Sequence, residues 1–188
     1  MVGLALGAPL VPITPICVVS AASPMYRALR QYKSGEPCVA RRQTLRLARV
    51  IDAFVRSHSG VLAPGGLDVS VVVPSSPGGR PSPHPLAAVL SQARGLPAVA
   101  DLLTRGPERA AHMRPSRDAY RVRRDVCGLR VLLVDDVYTS GAHLQSAARA
   151  LLDAGAAVHP LVIGRFVGKA PSAGAARVSG PSPIRPKS

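Results

Sequence analysis

One stretch of fourteen residues, VLLVDDVYTSGAHL from Val131 to Leu144, constrains the fold more than any other part of the chain. It opens with four apolar residues, and such a run predicts a strand covered on both faces, as in a parallel sheet. Two carboxylates and a short Thr-Ser-Gly loop follow. Apolar residues then recur at helical spacing up to Leu152, and Gly155 predicts the end of that helix. The polar residues are therefore expected at the carboxyl end of a central strand, where open α/β sheets bind ligands.

The loop after this strand has the chemistry of a phosphate site. Its residues are Thr139, Ser140, Gly141, Ala142 and His143. Hydroxyl groups and the N–H groups of a helix start donate hydrogen bonds to an anion, and the helix dipole favours negative charge there. The glycine lets the backbone approach a ligand closely. We therefore expect a phosphate group at this loop.

The two acids before the loop, Asp135 and Asp136, require a different partner. A carboxylate repels phosphate, but it accepts hydrogen bonds from hydroxyl groups, such as those of a ribose, or binds a divalent metal. One end of the predicted site thus favours phosphate, and the other favours a diol or a metal. A phosphorylated sugar fits this asymmetry.

These fourteen residues resemble the phosphoribosyl-diphosphate (PRPP) motif of type I phosphoribosyltransferases, in which a hydrophobic strand runs into two acids and a Thr-Thr-Gly-Ala-Thr-like loop. The resemblance implies an α/β fold with three layers, Rossmann-like, around a mostly parallel central sheet. It implies catalytic roles for Asp135 and Asp136 on the ribose hydroxyls and places the 5′-phosphate on residues 139–143. It also implies transfer of a 5-phosphoribosyl group to a nitrogen nucleophile, with release of pyrophosphate and with Mg²⁺ accompanying PRPP; no protein ligand for the metal is assigned.

A second buried strand is predicted at Asp68 to Val73, and it ends in the sequence PSSPGGR. Hydroxyls, small residues and an arginine at a strand's end suit an anion. In type I phosphoribosyltransferases the comparable loop holds pyrophosphate, so Ser75, Ser76 and Arg80 are the candidates for that role. The alternative is an ordinary Pro/Gly turn.

A basic segment, from Thr104 to Arg124, shows no clear apolar periodicity. Long loops in compact domains are often lids, and a basic lid can close over a highly charged substrate and exclude water. Arg105 and Arg117 are candidates for such a lid. A solvated loop, or a hairpin without a catalytic role, remains the alternative.

The remaining periodic stretches predict three further helices and two further strands. The helices are expected from Pro24 to just before Gly35, from Val39 to His58 and from Pro85 to Arg94, and the strands at Ala98 to Leu103 and Val158 to Val167. Pro160 indicates either the start of the last strand or an edge position.

The chain is expected to contain one domain, at residues 24–167, between two irregular segments. Residues 1–23 are apolar but lack a basic segment before Arg27, and prolines interrupt them. We therefore predict an irregular arm, or one that packs on the domain, and neither a leader nor a membrane span. Residues 168–188 are rich in Ala, Pro, Ser and Gly and contain basic residues, which predicts a disordered tail.

The net charge of +14 suits phosphate-rich ligands or nucleic acid. No basic stretch has interleaved aromatic residues, so dispersed arginines on solvated faces are the preferred interpretation and nucleic acid a less favoured one. The three cysteines are far apart and form no CxxC pair, which favours the reducing cytoplasm. A homodimer is left open.

Beyond the central motif, the order of elements is similar to the competence-protein ComF-like branch of the family. The Tyr-Lys-x-Gly segment of that branch is similar to residues 32–35, and its Val-Pro-Val-Pro strand end to residues 71–74. Departures are the absent N-terminal cysteine cluster, the sequence SPHPL in place of Arg-Gly-Phe-Asn-Gln, and His143 in place of a Thr. Members that act on purines often carry a general-base Asp where this chain has Thr139. A non-catalytic PRPP- or nucleotide-sensing module, or one associated with nucleic acid as in DNA uptake, is therefore the alternative function.

Overall fold

The computed structural model describes residues 9–74, 84–108 and 115–168. Within them, one sheet contains four strands in the order β1-β6-β5-β2, and every neighbouring pair is parallel. These strands are β1 (Thr14–Val19), β2 (Val69–Val72), β5 (Arg130–Tyr138) and β6 (Ala157–Phe166). A small antiparallel sheet pairs β3 (Leu103–Arg105) with β4 (Tyr120–Val122). The predicted α/β class with a mostly parallel central sheet is confirmed.

Helices cover both faces of the parallel sheet. They are α1 (Pro24–Gln31), α2 (Pro37–Leu62), α3 (Pro85–Ser91) and α4 (Ala142–Asp153), and a 3₁₀ turn spans Arg117–Ala119. The first three pack on one face, and α4 packs on the other together with the small sheet. The molecule therefore has three layers.

The residues of β5 explain why it lies in the centre of the sheet. Leu132 and Val134 are buried against α1–α3, whereas Val131 and Leu133 are buried against α4 and the small sheet. Successive side chains of a strand point to opposite faces, so four consecutive apolar residues supply apolar groups to both layers.

Both acids lie inside β5 and not after it. The prediction ended the strand at Val134, but pairing with β6 continues from Asp135, opposite Val162, to Tyr138, opposite Arg165. The neighbouring strand β6 has ten residues, and backbone hydrogen bonds with it extend β5 beyond its apolar run.

The irregular arm predicted for residues 1–23 contains a strand in its described part. β1 pairs with β6 from Thr14, opposite Leu161, to Val19, opposite Phe166. Pro15 lies in this edge strand, where a missing N–H is tolerated. Prolines interrupt a helix, but an edge strand tolerates them.

The strand predicted at Ala98 to Leu103 is wrong over most of its length. Val99 forms only an isolated bridge with Ser70, and the paired residues are those of β3. Leu103 and Tyr120 are buried beside α4, so tertiary packing selects this hairpin in the segment that lacked clear periodicity. In the described part of the predicted lid, residues 104–105 and 120–122 are therefore paired in the small sheet.

Pro160 lies within β6, which is a central strand, but at this residue β6 has no paired neighbour on the β1 side. The N–H of Ala157 donates to Leu129 O near β5, so by alternation the nitrogen of residue 160 faces β1. Pairing with β1 begins only at Leu161. No ladder hydrogen bond is lost, and the proline is tolerated.

The long helix α2 begins earlier and ends later than predicted, since it covers 26 residues. Three residues of its predicted buried stripe are fully buried, namely Leu47, Ile51 and Val55, and Val50 and Phe54 are half-buried. No helix within the described ranges is long and apolar enough to cross a membrane.

Candidate functional site

The carboxyl ends of β2 and β5 lie side by side. Val72 is opposite Val134, and the N–H of Val73 donates to Val134 O at 3.0 Å. Pro74 therefore lies next to the acids of β5. The predicted pyrophosphate residues Ser75, Ser76 and Arg80 follow it directly but lie outside the described residues, so their role stays a prediction.

The two acids have different surroundings. Asp136 is 9% exposed. The hydroxyl of Tyr32 donates to its Oδ2 at 2.8 Å, and the ammonium group of Lys33 forms an ion pair with the same oxygen. Its Oδ1 accepts from the N–H of Val137 at 2.9 Å. Asp136 is thus paired with a cation and a phenol, whereas Asp135 accepts a backbone N–H from Asp136 at 2.9 Å.

This difference separates the pKa values of the two carboxyls. Burial raises the pKa of Asp135 to about 7, and the negative charge of Asp136 adds to that increase. Burial also acts to raise the pKa of Asp136, but the charge and hydrogen bond of Lys33 and the hydroxyl of Tyr32 outweigh it, so that this pKa is lowered. At neutral pH Asp136 is ionised, and Asp135 is the group that titrates.

A glycine joins β5 to the helix that follows. Gly141 is the N-cap of α4 with φ of +77°, a conformation that disfavours side chains. A Cβ atom there would also overlap the ring of Tyr138. Glycine has no side chain that could cap the first turn of α4. The first N–H groups of a helix point away from its start and favour an anion there. Thr139 is exposed and Ser140 half-buried at the same loop.

His143 is held by two residues of the small sheet. Its Nδ1 lies 3.3 Å from Nη1 of Arg105 and 3.2 Å from the hydroxyl of Tyr120. A guanidinium group only donates, so Nδ1 is the acceptor and a neutral imidazole carries its proton on Nε2. In that tautomer Nε2 is the donor of the ring.

Arg105 bridges the two strand ends of the site. Its Nη2 donates to the carbonyl oxygen of Pro74 at 2.8 Å, and its guanidinium group lies 4.6 Å from the ring centre of Tyr120. Burial raises the pKa of Tyr120, so its hydroxyl stays protonated. Of the two arginines predicted for a lid, Arg105 is therefore fixed on a strand beside the phosphate loop.

Arg117 occupies a different position. It is exposed in the 3₁₀ turn, which packs along α4, where the N–H of Ser116 donates to Oγ of Ser146 at 3.0 Å. The pKa of Asp153, at the far end of α4, is lowered mainly by a hydrogen bond from Arg149, and the charge of Arg117 contributes. The structure thus places Arg117 within electrostatic range of the far end of the helix.

Three residues of the site were not selected from the sequence as site residues: Tyr32, Lys33 and Tyr120. Tyr32 and Lys33 belong to the Tyr-Lys-x-Gly segment, so that pattern was the available signal. Tyr120 lies within the arginine-rich stretch without a motif, and only the strand pairing of Arg105 with Tyr120 reveals its position. Contacts between distant parts of the chain therefore complete the site.

Comparison with known proteins gives one kind of match. No family model matches the chain, and no curated protein matches it. Among solved structures, the chain is similar to the crystal structure of adenine phosphoribosyltransferase from Leishmania tarentolae, with 13% sequence identity and a TM-score of 0.41 over 85% of this chain and 94% of that chain. The parallel sheet with helices on both faces is itself consistent with a type I phosphoribosyltransferase fold.

Proposed function

We propose that the protein binds PRPP and transfers its 5-phosphoribosyl group to a nitrogen nucleophile, with release of pyrophosphate. One observation carries the proposal: the last half of β5 contains a titrating carboxyl, Asp135, and the strand leads within a few residues into the glycine-capped start of α4. A hydroxyl-binding group and an anion-binding group are thus adjacent at the carboxyl edge of a parallel sheet. A ribose that carries a 5′-phosphate presents both complementary groups.

In this proposal each part of the site has one role. Ionised Asp135 accepts hydrogen bonds from the ribose hydroxyls, and Asp136 holds the strand end in place through its contacts with Tyr32 and Lys33. The backbone N–H groups at the start of α4, the hydroxyls of the loop and Nε2 of His143 hold the 5′-phosphate. The acids were expected to share the ribose; the contacts of Asp136 favour a positioning role for it.

The proposed reaction depends on orientation of the reactants and not on a covalent intermediate with the protein. The nitrogen nucleophile forms a bond with C1′ of the ribose, the bond between C1′ and the diphosphate oxygen breaks, and pyrophosphate leaves with the electron pair. The nitrogen then loses a proton to solvent or to a base. Fixing the phosphate and the ribose hydroxyls at two separate points orients C1′ towards the nucleophile and the leaving diphosphate. Orientation of this kind contributes strongly to reaction rates.

Mg²⁺ is proposed to arrive with PRPP. The described parts of the chain contain no group of three or more His, Cys, Asp or Glu side chains that could hold a metal ion. Mg²⁺ commonly keeps substrate phosphate oxygens and waters as ligands, and the diphosphate of PRPP would supply such oxygens. Bound to the diphosphate, it would neutralise the charge of the leaving group.

A second candidate function is PRPP or nucleotide sensing without turnover. Thr139 favours it, because an exposed hydroxyl is too weak a base at neutral pH to take the proton of the nucleophile. Such a module would use the same contacts to PRPP and release no pyrophosphate.

Pyrophosphate release from PRPP and Mg²⁺, across a panel of nucleobases and amines, tests the proposal. We expect release that depends on one class of nucleophile and falls at least about a hundredfold in Asp135→Asn, a loss typical of removing an electrostatic group at a reacting centre. Asp101→Asn removes one negative charge at an exposed ion pair with Arg123 and serves as the control. Binding of PRPP without release for any nucleophile would favour the sensing module, and neither binding nor release would contradict both.

A further inference from the structure

A groove separates α1 from α2 on the side of the molecule where these helices face solvent. Its cavity volume is about 370 Å³, within the range of small-molecule sites. It is lined by Pro24, Arg27, Ala28, Gln31, Arg42, Gln43 and Arg46. None of these residues has a role in the PRPP site proposed above, so the groove needs an explanation of its own.

Three arginines and no carboxylate line this groove. Arg42 and Arg46 form the wall that it shares with a neighbouring cavity. Arg27, Arg42 and Arg46 are exposed, and no ion pair with Asp or Glu involves them in the part of the chain that the structure describes. Arg27 follows the first turn of α1, a turn that contains no acid, although the dipole of a helix disfavours a cation near its start. The positive charge of the groove is thus uncompensated within the described residues, and an anion would compensate it.

A buried amide in the groove also lacks a partner. Gln43 is 7% exposed; its Nε2 donates to Oε1 of Gln31 at 3.1 Å, and its Oε1 is buried without a hydrogen bond among the described residues. The two ends of an amide are interchangeable when the network around them allows it. If both amides are turned, Gln31 donates to Gln43, and the unpaired group becomes the Nε2 hydrogens of Gln43. Buried polar groups are normally paired, so a ligand that accepts a hydrogen bond fits this position.

We propose that the groove is a second anion site, which binds the phosphate group of a small phosphorylated compound. Guanidinium groups donate pairs of parallel hydrogen bonds to phosphate, and with both amides turned Gln43 adds a donor beside them. No aromatic side chain lines the groove on which the bases of a nucleic acid would stack. A small ligand therefore fits better than a nucleic acid strand.

Two charge-matched pairs of substitutions in α2 test the site. Arg42→Gln with Arg46→Gln removes two charges from the groove, and Arg41→Gln with Arg49→Gln removes two that line only the neighbouring cavity. The probes are inorganic phosphate and a nucleoside monophosphate, and the readout is the side-chain amide resonance of Gln43 during an NMR titration. We expect affinity to fall at least about tenfold in the groove pair and less than about twofold in the control pair, as for lost hydrogen bonds to a charged ligand.

Gln43→Leu provides an independent check. It removes an unpaired buried polar group, so thermal stability should be unchanged or higher, while phosphate affinity, measured by calorimetry, should fall several-fold. Equal losses in the two arginine pairs would show a diffuse basic surface and overturn the proposal. So would a Gln43 amide resonance that does not respond to phosphate, or tight binding of an oligonucleotide duplex with no response to the small probes. None of these outcomes depends on PRPP binding at β5.

Discussion

At the scale of single residues, the two acids of β5 show how surrounding residues give chemically identical carboxyl groups different pKa values. Asp135 and Asp136 are adjacent in sequence, yet only Asp136 contacts a cation and a phenol. The partner residues come from the segment between α1 and α2, about a hundred positions earlier in the chain. The sequence motif alone therefore could not show which of the two carboxyls is available to a ligand.

Asp135→Asn should stabilise the folded protein at alkaline pH. A carboxyl whose pKa is about 7 in the folded state and about 4 in the unfolded state stabilises the fold below pH 4, and that contribution is lost as the pH rises towards 7. The amide variant does not ionise, so it should be more stable than wild type by about 1–3 kcal/mol at pH 8 and no more stable near pH 4. Urea unfolding across this range measures the difference. A gap that is independent of pH would contradict the assigned pKa.

Lys33→Met should destabilise the protein at neutral pH. It leaves the buried carboxylate of Asp136 without its cation, and breaking a buried ion pair costs about 3–5 kcal/mol; because Lys33 is partly exposed, we expect about 2–3 kcal/mol. The lowered pKa of Asp136 implies stability that is present above pH 4 and lost as the pH falls, so the defect should shrink in acid. Lys33→Arg, measured by the same urea unfolding, should restore most of the loss. A Lys33→Met variant as stable as wild type would show that the ion pair has no structural role.

At the scale of elements, the loop between β5 and α4 depends on one glycine for two reasons. The positive φ of Gly141 is one, and the closeness of the Tyr138 ring is the other. Tyr138, the last residue of β5, thus packs against the turn that leads into α4. This contact links the geometry of the loop between β5 and α4 to the length of β5.

Gly141→Ala and Gly128→Ala separate these two reasons. Both glycines have similar φ angles, +77° and +76°, but nothing lies within 4 Å of a Cβ at Gly128. We expect Gly128→Ala to cost about 1 kcal/mol for its backbone conformation and Gly141→Ala at least about 2 kcal/mol, because overlap with Tyr138 adds to that cost. Chemical unfolding of both variants measures the difference, and equal losses would contradict the steric argument.

The elements that could be predicted from the sequence are those with a strong local pattern. β5, α1 and α4 were predicted because an apolar run, a Ser-Pro start and a helical repeat belong to single segments. β3 and β4 were not, since each has three residues and is selected by burial of Leu103 and Tyr120. The acids and the loop of the candidate site lie in one motif, whereas Lys33 reaches them only through the tertiary fold.

At the scale of the whole molecule, charge is the dominant feature. The chain has 24 Lys and Arg residues against 10 Asp and Glu residues. Several described arginines are paired, such as Arg130 with Asp68, which lowers the pKa of Asp68 to about 2 through hydrogen bonds from that arginine. The excess charge nevertheless repels itself in the compact state.

Added NaCl should therefore raise the melting temperature by a few degrees between low and physiological ionic strength. Screening weakens the repulsion among exposed arginines, and exposed ion pairs contribute little that salt could remove. Thermal melts at increasing NaCl, at constant pH, measure the effect. A steady fall in melting temperature would show that ion pairing outweighs repulsion.

The measurement that tests the central claim most directly is a calorimetric titration with PRPP and Mg²⁺. The claim is that the acid and the glycine-capped helix start at the end of β5 form one binding site for PRPP. Wild type and the control Asp101→Asn should bind with the same affinity, and Asp135→Asn should bind at least about tenfold more weakly, as expected for a lost hydrogen bond to a charged group. If wild type does not bind PRPP, or if Asp135→Asn binds it as tightly as wild type does, the claim is wrong.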